Sequence, residues 1–455
     1  MELYKKKVAV IGLGVSNVHL IRFLFTQGAV VTACDKKQEH ELKDILAELA
    51  GIPLSLQLGE NYLQGLPEFD VVFLTPGMKR DFPELIEARK KGVVFSSEMK
   101  EFLSRCPGKI IGITGSSGKT TTTTLAGKIM QETGRQVFIG GNIGNPLITK
   151  LPEMNKDTWV VLELSSFQLQ EAERSPNIAA VTNITPNHLD MHASMEEYID
   201  AKKNIYRFQN ENDYLILNYD YDITRTMAGE ARGKVFFFSR KAEISCGACL
   251  QGEDLLLKID GKIVKICRRK DLKLLGLHNI ENVLLASLIT FLAGADLSHI
   301  QKVVTAFTGV EHRLELVREY NGVVYYNDSI STTPARATAG VLAMERPVVL
   351  IVGGYDKKLS FDEFAEVVVE KCKAVVTLGQ TAPLLEEAIA RAAAGKGKSI
   401  PVYRQDTFHR AIEKAKELAQ PGDAVLLSPA CASYDMFRDY RQRGELFKQI
   451  IQEFA

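Results

Sequence analysis

No apolar run in this 455-residue chain approaches the roughly 20 residues that a helix needs to cross a bilayer, so membrane insertion is not expected. Charge of one sign is missing too, because Lys+Arg and Asp+Glu both total 56. That balance argues against a nucleic-acid or membrane-surface partner, which would need a basic excess or patch. It leaves room for a small anionic ligand, which takes only a few local donors. Cysteine is sparse and odd in number, seven residues scattered along the chain. A disulfide framework is therefore not expected, and a reducing, cytoplasmic compartment is the simplest reading. Cys246 and Cys249 form a lone CxxC without the second pair that a four-ligand zinc site needs, so they read as two thiols in a turn. The opening MELYKKKVAVIGLG starts basic, but Gly12 and Gly14 break its apolar stretch and Ser16, Asn17 and His19 soon follow; no leader peptide is read there. There is no repeat of fixed period.

What is present has the ordinary balance of a globular protein with sizeable cores: 45% hydrophobic and 25% charged residues, enough for two or three domains. Strand-like runs alternate with longer amphipathic stretches in KKVAVIGLG, AVVTACD, FDVVFLTPG and VVFSS, which implies a parallel sheet. A second unit opens near Gly108 with GKIIGITGSSGKTTTTT, followed by WVVLELSS and IAAVTNIT. Between about 235 and 275, VFFFSR, GEDLLLKIDGKIVKI and RRKDLKLLG suggest antiparallel hairpins, with Asp260-Gly261 as a turn. A third unit begins near Val310, with VVYYNDS, PVVLIVGGYD, AVVTLG and AVLLSPA as strands. The expected fold is α/β in three domains: Rossmann-like over 1–101, a P-loop α/β domain with added antiparallel strands over 102–309, and Rossmann-like again over 310–455.

The strongest local signal is Thr114-Gly115-Ser116-Ser117-Gly118-Lys119-Thr120-Thr121 between a strand and a helix. Glycines let the backbone wrap a phosphate so that N–H groups and a helix N-terminus face the anion; Lys119 would reach the terminal phosphates and the Thr120 hydroxyl would ligate Mg²⁺. The match is imperfect, since Ile113 stands where the full pattern wants glycine. Gly12-Leu13-Gly14-Val15-Ser16-Asn17 is weaker. Asp35 follows 21 residues after Gly14, as a ribose-binding acid would, but Asn17 replaces the third glycine. A dinucleotide site, another nucleotide or diphosphate site, and a plain βα turn all remain open from the residues alone. Polar groups also interrupt apolar strands or follow them: Glu163, with Ser165, Ser166 and Gln168, and His188, Asp190 and His192. Carboxyl ends of parallel strands are where open α/β sheets bind ligands, so Glu163 and His188 are candidates for metal or phosphate. The third unit adds Arg313, Asp328, Lys357 and the segment from Ser428 to Asp435. Position alone gives an ATP-using enzyme of unspecified reaction.

TGSSGKTTT, GGNIG, ELSSFQL, NHLDMH, GLHNIEN, EHRLE, NDS and LLSPACASYDMF occur in the order found in the Mur ligases, so the chain resembles that family, in particular its glutamate-adding members, over most of its length. The resemblance implies that ATP phosphorylates the alanyl carboxylate of UDP-N-acetylmuramoyl-L-alanine and that the glutamate amine attacks the acyl phosphate. It implies two Mg²⁺ sites and a carbamylated lysine at Lys202, with neighbouring Lys203 making the register worth checking. ATP would meet Gly115, Ser116, Ser117, Gly118, Lys119, Thr120, Thr121, Asn279, Arg313 and Asp328. Lys119, His188 and Lys202 would serve catalysis, and Thr120, Glu163, His188 and carbamylated Lys202 would hold the metals. Val15, Ser16, Asp35, Lys36, Thr75, Pro76, Gly77 and Asn142 match the UDP-substrate positions, and Thr332, Lys357, Ser433 and Tyr440 match those near glutamate. Two positions depart from the family pattern: Ile330 stands where lysine is common, and Asn187 where aspartate is usual. The first leaves open D-glutamate, L-glutamate or another acceptor. The expectation is a cytoplasmic monomer, with an NAD-dependent oxidoreductase as the rival from another class.

Overall fold

The computed structural model describes residues 2–144, 146–185, 192, 194–274 and 276–454. Its first sheet is parallel, in the order β3-β2-β1-β4-β5, built from β1 (Lys7–Ile11), β2 (Val30–Asp35), β3 (Leu54–Leu58), β4 (Val71–Leu74) and β5 (Val94–Ser96). β1 and β4 are almost wholly buried, which is why they read as continuous apolar runs rather than alternating ones. The order is Rossmann-like, with the β1 turn at the centre of the sheet.

The second sheet has nine strands in the order β14-β13-β12-β11-β10-β9-β6-β8-β7. These are β6 (Lys109–Thr114), β7 (Val137–Gly141), β8 (Trp159–Glu163), β9 (Ile178–Val181), β10 (Tyr214–Asn218), β11 (Lys234–Ser239), β12 (Gly247–Gln251), β13 (Asp254–Ile259) and β14 (Lys262–Arg268). Only β12-β13-β14 is antiparallel. Two expectations are corrected here. VFFFS is not half of a hairpin but β11, parallel to β10, because the helical segments Asp222–Thr226 and Met227–Glu230 carry the chain back to the start of the sheet. RRKDLKLLG supplies no strand beyond Arg268; Arg269–Asp271 is a 3₁₀ turn. The Asp260-Gly261 turn is as expected, with φ of 50° and 74°, the left-handed pair of a type I′ hairpin.

The third sheet runs β15-β16-β20-β17-β18-β19, from β15 (Glu315–Tyr320), β16 (Val323–Asn327), β17 (Val348–Gly353), β18 (Cys372–Leu378), β19 (Val402–Gln405) and β20 (Ala424–Leu427). Only the edge strand β15 is antiparallel. The three sheets fall into two compact units. One holds residues 1–271 and 278–305, with the first two sheets; the other holds 272–277 and 306–455, with the third. Within the first unit one apolar cluster runs from Val8 and Leu24 through Phe102 to Val160 and Val181, so the first two sheets share a core.

Candidate active site

β6 lies inside the parallel part of its sheet, flanked by β8 and β9, and the turn after it feeds the helix Lys119–Glu132. The turn is braced from β9. Ser116 N–H donates to Asn183 O at 2.8 Å, Ser117 N–H to Asn183 Oδ1 at 3.0 Å, and Thr182 Oγ1 to Ser117 O at 2.6 Å. Gly115 is required by this bracing, because a Cβ there would sit 1.9 Å from Thr182 Oγ1 at a φ of 142°. Gly118 (φ 83°) presses against Asn282 Oδ1, and Asn282 Nδ2 donates to Asn279 Oδ1 at 2.8 Å. The asparagines of GLHNIEN thus stand against the glycine turn, with Asn282 closest, three residues from Asn279 and on the same helix face. Lys119 Nζ folds over the loop to Gly115 O at 2.9 Å and Ser116 O at 3.1 Å. Thr120 and Thr121 occupy the next positions of the helix.

Of the two adjacent lysines, Lys202 is the buried one, 2% exposed: its Nζ donates to Thr114 Oγ1 at 3.2 Å and Gly115 O at 3.0 Å, whereas Lys203 points outward to Glu230 at 2.5 Å. Burial, and then the nearby Lys119 ammonium, push the Lys202 pKa well below the lysine range, with Glu163 opposing. Tyr198, one helical turn earlier, lies under Lys202 Nζ with its ring centre 4.7 Å away, and its hydroxyl is 2.9 Å from Ser116 Oγ. Sequence reading missed Tyr198, although a tyrosine four residues before a candidate lysine on one helix is a usable signal. His192 stands edge-on to Tyr198, stacks on Phe167 at 4.9 Å, and places Nε2 2.9 Å from Ser166 Oγ. His188 and Asp190 lie outside the described residues.

Glu163 ends β8 at 2% exposure. Asn142 Nδ2 donates to its Oε1 at 3.0 Å, while Oε2 is buried and accepts no hydrogen bond from the described residues. An ionised oxygen left bare in a protein interior is costly unless a cation completes it. A carboxylate oxygen is a hard donor of the kind Mg²⁺ takes, and the Thr120 hydroxyl, in the first turn of the helix after the glycine turn, could be another.

In the first sheet, Asp35 is a turn anchor. Leu13 N–H donates to Oδ2 at 2.7 Å and Lys37 N–H to Oδ1 at 2.9 Å. Asn17 replaces the third glycine by turning its amide back, Nδ2 donating to Ile11 O at 2.9 Å and Gly12 O at 2.7 Å. That side chain fills the space a glycine would leave for close packing. Thr75 packs its Cβ and Cγ2 on Gly12, and a Cβ added at Gly77 would lie 3.9 Å from the Phe167 ring, on the short helix Ser166–Leu169. Val15 is exposed at the first position of the helix Val15–Thr26, with Ser16 beside it, and Lys36 is exposed at the end of β2; Pro76 is half-buried. Asn142 stands at Glu163 rather than in this group.

In the second unit, Arg313 sits between two non-glycine residues of positive φ, His312 (62°) and Leu314 (43°). This backbone is held from all sides. His312 N–H donates to Glu315 Oε2 at 2.8 Å, His312 Nδ1 is 3.0 Å from Asn327 Nδ2, and Leu314 N–H donates to Asp328 Oδ1 at 3.2 Å. Asp328 also accepts from the hydroxyls of Ser331 (2.6 Å) and Ser428 (2.8 Å), and burial raises its pKa to about 6. Over-determined left-handed residues of this kind cluster at functional sites in proteins generally. Lys357 Nζ lies 3.4 Å from Thr332 Oγ1, so two acceptor-site candidates meet; Ser433 is buried and Tyr440 begins the helix Tyr440–Gln452. Ile330 is half-buried and brings no charge to this group.

Comparison with known proteins agrees with this arrangement. Residues 6–96 match the MurD-like N-terminal domain of Mur ligases, 113–290 the Mur ligase middle domain, and 312–431 the Mur ligase glutamate ligase domain. The chain is 50% identical over 446 residues to UDP-N-acetylmuramoylalanine–D-glutamate ligase of Clostridium novyi, covering 98% of this chain and 96% of that one. It is 47% identical over 453 residues to the protein of the same name from Acetivibrio thermocellus, covering 99% and 97%. Among solved structures, UDP-N-acetylmuramate-alanine ligase MurC from Thermotoga maritima shares the fold, with a TM-score of 0.60 at 19% identity over 98% of this chain and 99% of that one. Family patterns for all three parts, near-full-length identity to such relatives and a phosphate-loop turn built around a buried lysine converge, and this chain belongs to the Mur ligase family.

Proposed function

We propose that this chain joins D-glutamate to UDP-N-acetylmuramoyl-L-alanine at the expense of ATP, in peptidoglycan precursor synthesis. The observation that carries the reading is a buried Lys202 fastened to the glycine turn after β6, with Glu163 at the end of the neighbouring β8 keeping one oxygen bare, in a chain half identical to relatives of that name. The turn Gly115, Ser116, Ser117, Gly118, Lys119, Thr120 and Thr121, through the backbone N–H groups that Asn183 does not already take from Ser116 and Ser117, and the Lys119 ammonium would receive the nucleotide phosphates, with Asn279, Arg313 and Asp328 also assigned to ATP. The alanyl carboxylate oxygen attacks the γ-phosphorus, ADP leaves, and the carboxylate becomes an acyl phosphate. The glutamate amine then attacks the acyl carbon, phosphate departs, and the nitrogen loses a proton to give the amide. Mg²⁺, held by Thr120, Glu163, His188 and carbamylated Lys202, would neutralise charge on the transferring phosphoryl group.

Carbamylation is supported by chemistry at Lys202. Only a neutral amine attacks CO₂, and burial beside Lys119 favours that form. Val15, Ser16, Asp35, Lys36, Thr75, Pro76, Gly77 and Asn142 are assigned to the UDP-substrate, and Thr332, Lys357, Ser433 and Tyr440 to glutamate. On this reading the domains are 1–101 for the UDP-substrate, 102–309 for ATP and 310–455 for the amino acid, in a cytoplasmic monomer. No helix among the described residues is long and apolar enough to cross a membrane.

Phosphate release from ATP with Mg²⁺ and UDP-N-acetylmuramoyl-L-alanine, with D- or L-glutamate added in parallel and product mass recorded, tests the reading. Amide formed with D-glutamate alone is expected. Product from L-glutamate would reassign the acceptor, and failure to bind the UDP-substrate would sink the assignment.

A further inference from the structure

We propose that Arg443, which no sequence motif singled out, is a positioning residue that assembles the acceptor amino-acid site; this rests on the ligase reading above. Arg443 lies one helical turn into Tyr440–Gln452 and is 1% exposed, one of the largest fully buried side chains in the protein. A charge buried so deeply usually faces a carboxylate. Here every hydrogen bond goes to a neutral oxygen: Nε to Ser329 Oγ at 3.0 Å, Nη2 to Ser329 O at 2.9 Å and Cys431 O at 3.2 Å, and Nη1 to Ala432 O at 3.4 Å.

Those oxygens belong to two loops that are a hundred residues apart in sequence. One follows β16 and reaches Thr332 three residues after Ser329. The other follows β20 and reaches Ser433 directly after Ala432. Ser329 Oγ in turn donates a hydrogen bond to Tyr440 O at 2.7 Å, which ties in the start of the helix. Three of the four candidate acceptor contacts therefore sit on segments fastened by one guanidinium, and the fourth, Lys357, leans on Thr332. Only a planar fork of donors can span both loops at once, and lysine offers a single point. No carboxylate is among its hydrogen-bond partners; Asp435, on the same loop as Ser433, acts on its charge without a hydrogen bond, so the role assigned to Arg443 is the tie between the loops.

The test is steady-state kinetics on the full chain with glutamate, UDP-N-acetylmuramoyl-L-alanine and ATP varied in turn, for wild type, Arg443→Lys, Arg443→Met and Ser329→Ala, with thermal unfolding read beside it. The KM for glutamate is expected to rise at least about 10-fold in Arg443→Met, with Arg443→Lys between it and wild type, while the KM for the UDP-substrate stays within about twofold. Ser329→Ala removes one hydroxyl from the same tie, so it carries the test if the methionine variant does not fold; a rise of about threefold or more in the glutamate KM is expected. An unchanged glutamate KM in the folded variants, or an equal rise in all three KM values, overturns the inference. A wild type that makes no product with glutamate overturns the ligase reading and this inference with it, an outcome seen before any variant is made.

Discussion

Replacing Lys202 by Met is expected to abolish activity while leaving the fold intact, and the two effects can be worked separately. Lys202 Nζ makes two hydrogen bonds, and both acceptors keep a partner without it. Gly115 O still accepts from Lys119 Nζ at 2.9 Å, and the Thr114 hydroxyl still donates to Leu164 O at 2.7 Å. No orphaned acceptor is created, so the usual penalty of roughly 1–3 kcal/mol for a buried group left bare does not arise. Against the two lost bonds stands the removal of a buried amine whose charged form desolvation and Lys119 both disfavour, and an apolar side chain of similar length fills its space. The net change in stability is expected within about 1 kcal/mol of zero, a shift of no more than about 4 °C in Tm. Turnover should fall at least about 100-fold, the scale of losing one group that stabilises transition-state charge. Lys203→Met removes only a surface pair with Glu230 and should change turnover less than twofold. Differential scanning calorimetry and the phosphate-release assay on both variants decide it. A Lys202→Met protein destabilised by more than about 3 kcal/mol would refute the reasoning, because the lysine would then be holding the fold; so would retained turnover.

Glu163→Gln keeps the Asn142 contact to one oxygen but removes the bare charge. Stability should hold or rise, and the Mg²⁺ concentration for half-maximal ATP turnover should increase about 10-fold or more, measured by magnesium titration. Gly118→Ala places a Cβ 2.5 Å from Asn282 Oδ1 at a φ of 83°, so a loss of roughly 1–2 kcal/mol in stability is expected from left-handed strain, together with weaker ATP binding by calorimetry. Asp328, with a folded pKa raised from 3.8 to about 6, binds its proton more tightly in the folded state, so wild-type stability should fall as pH rises through that window and level off above it. Asp328→Asn should lack this loss, which amounts to about 2.4 kcal/mol between pH 4 and pH 7 in denaturant melts.

Much of the chain's organisation is local and therefore legible in its sequence. Buried parallel strands show as unbroken apolar runs, the Asp260-Gly261 hairpin by its turn pair, and the phosphate turn by glycines between a strand and a helix, since each depends on residues a few positions apart. The likeness of scattered motifs to one family named the chemistry. Local pattern could not show that VFFFS pairs parallel to β10, because strand direction is set by the crossover before it rather than by the strand itself. Nor could it separate Lys202 from Lys203, two adjacent lysines that one step of helical rotation, about 100°, sends to different faces. Tertiary structure alone decided that Asn17 would fold back on β1 where a third glycine was looked for, that Glu163 would keep one oxygen bare, and that Arg443 would gather loops a hundred residues apart. Those outcomes depend on which distant backbone atoms arrive beside a side chain, and only the packed chain brings them there.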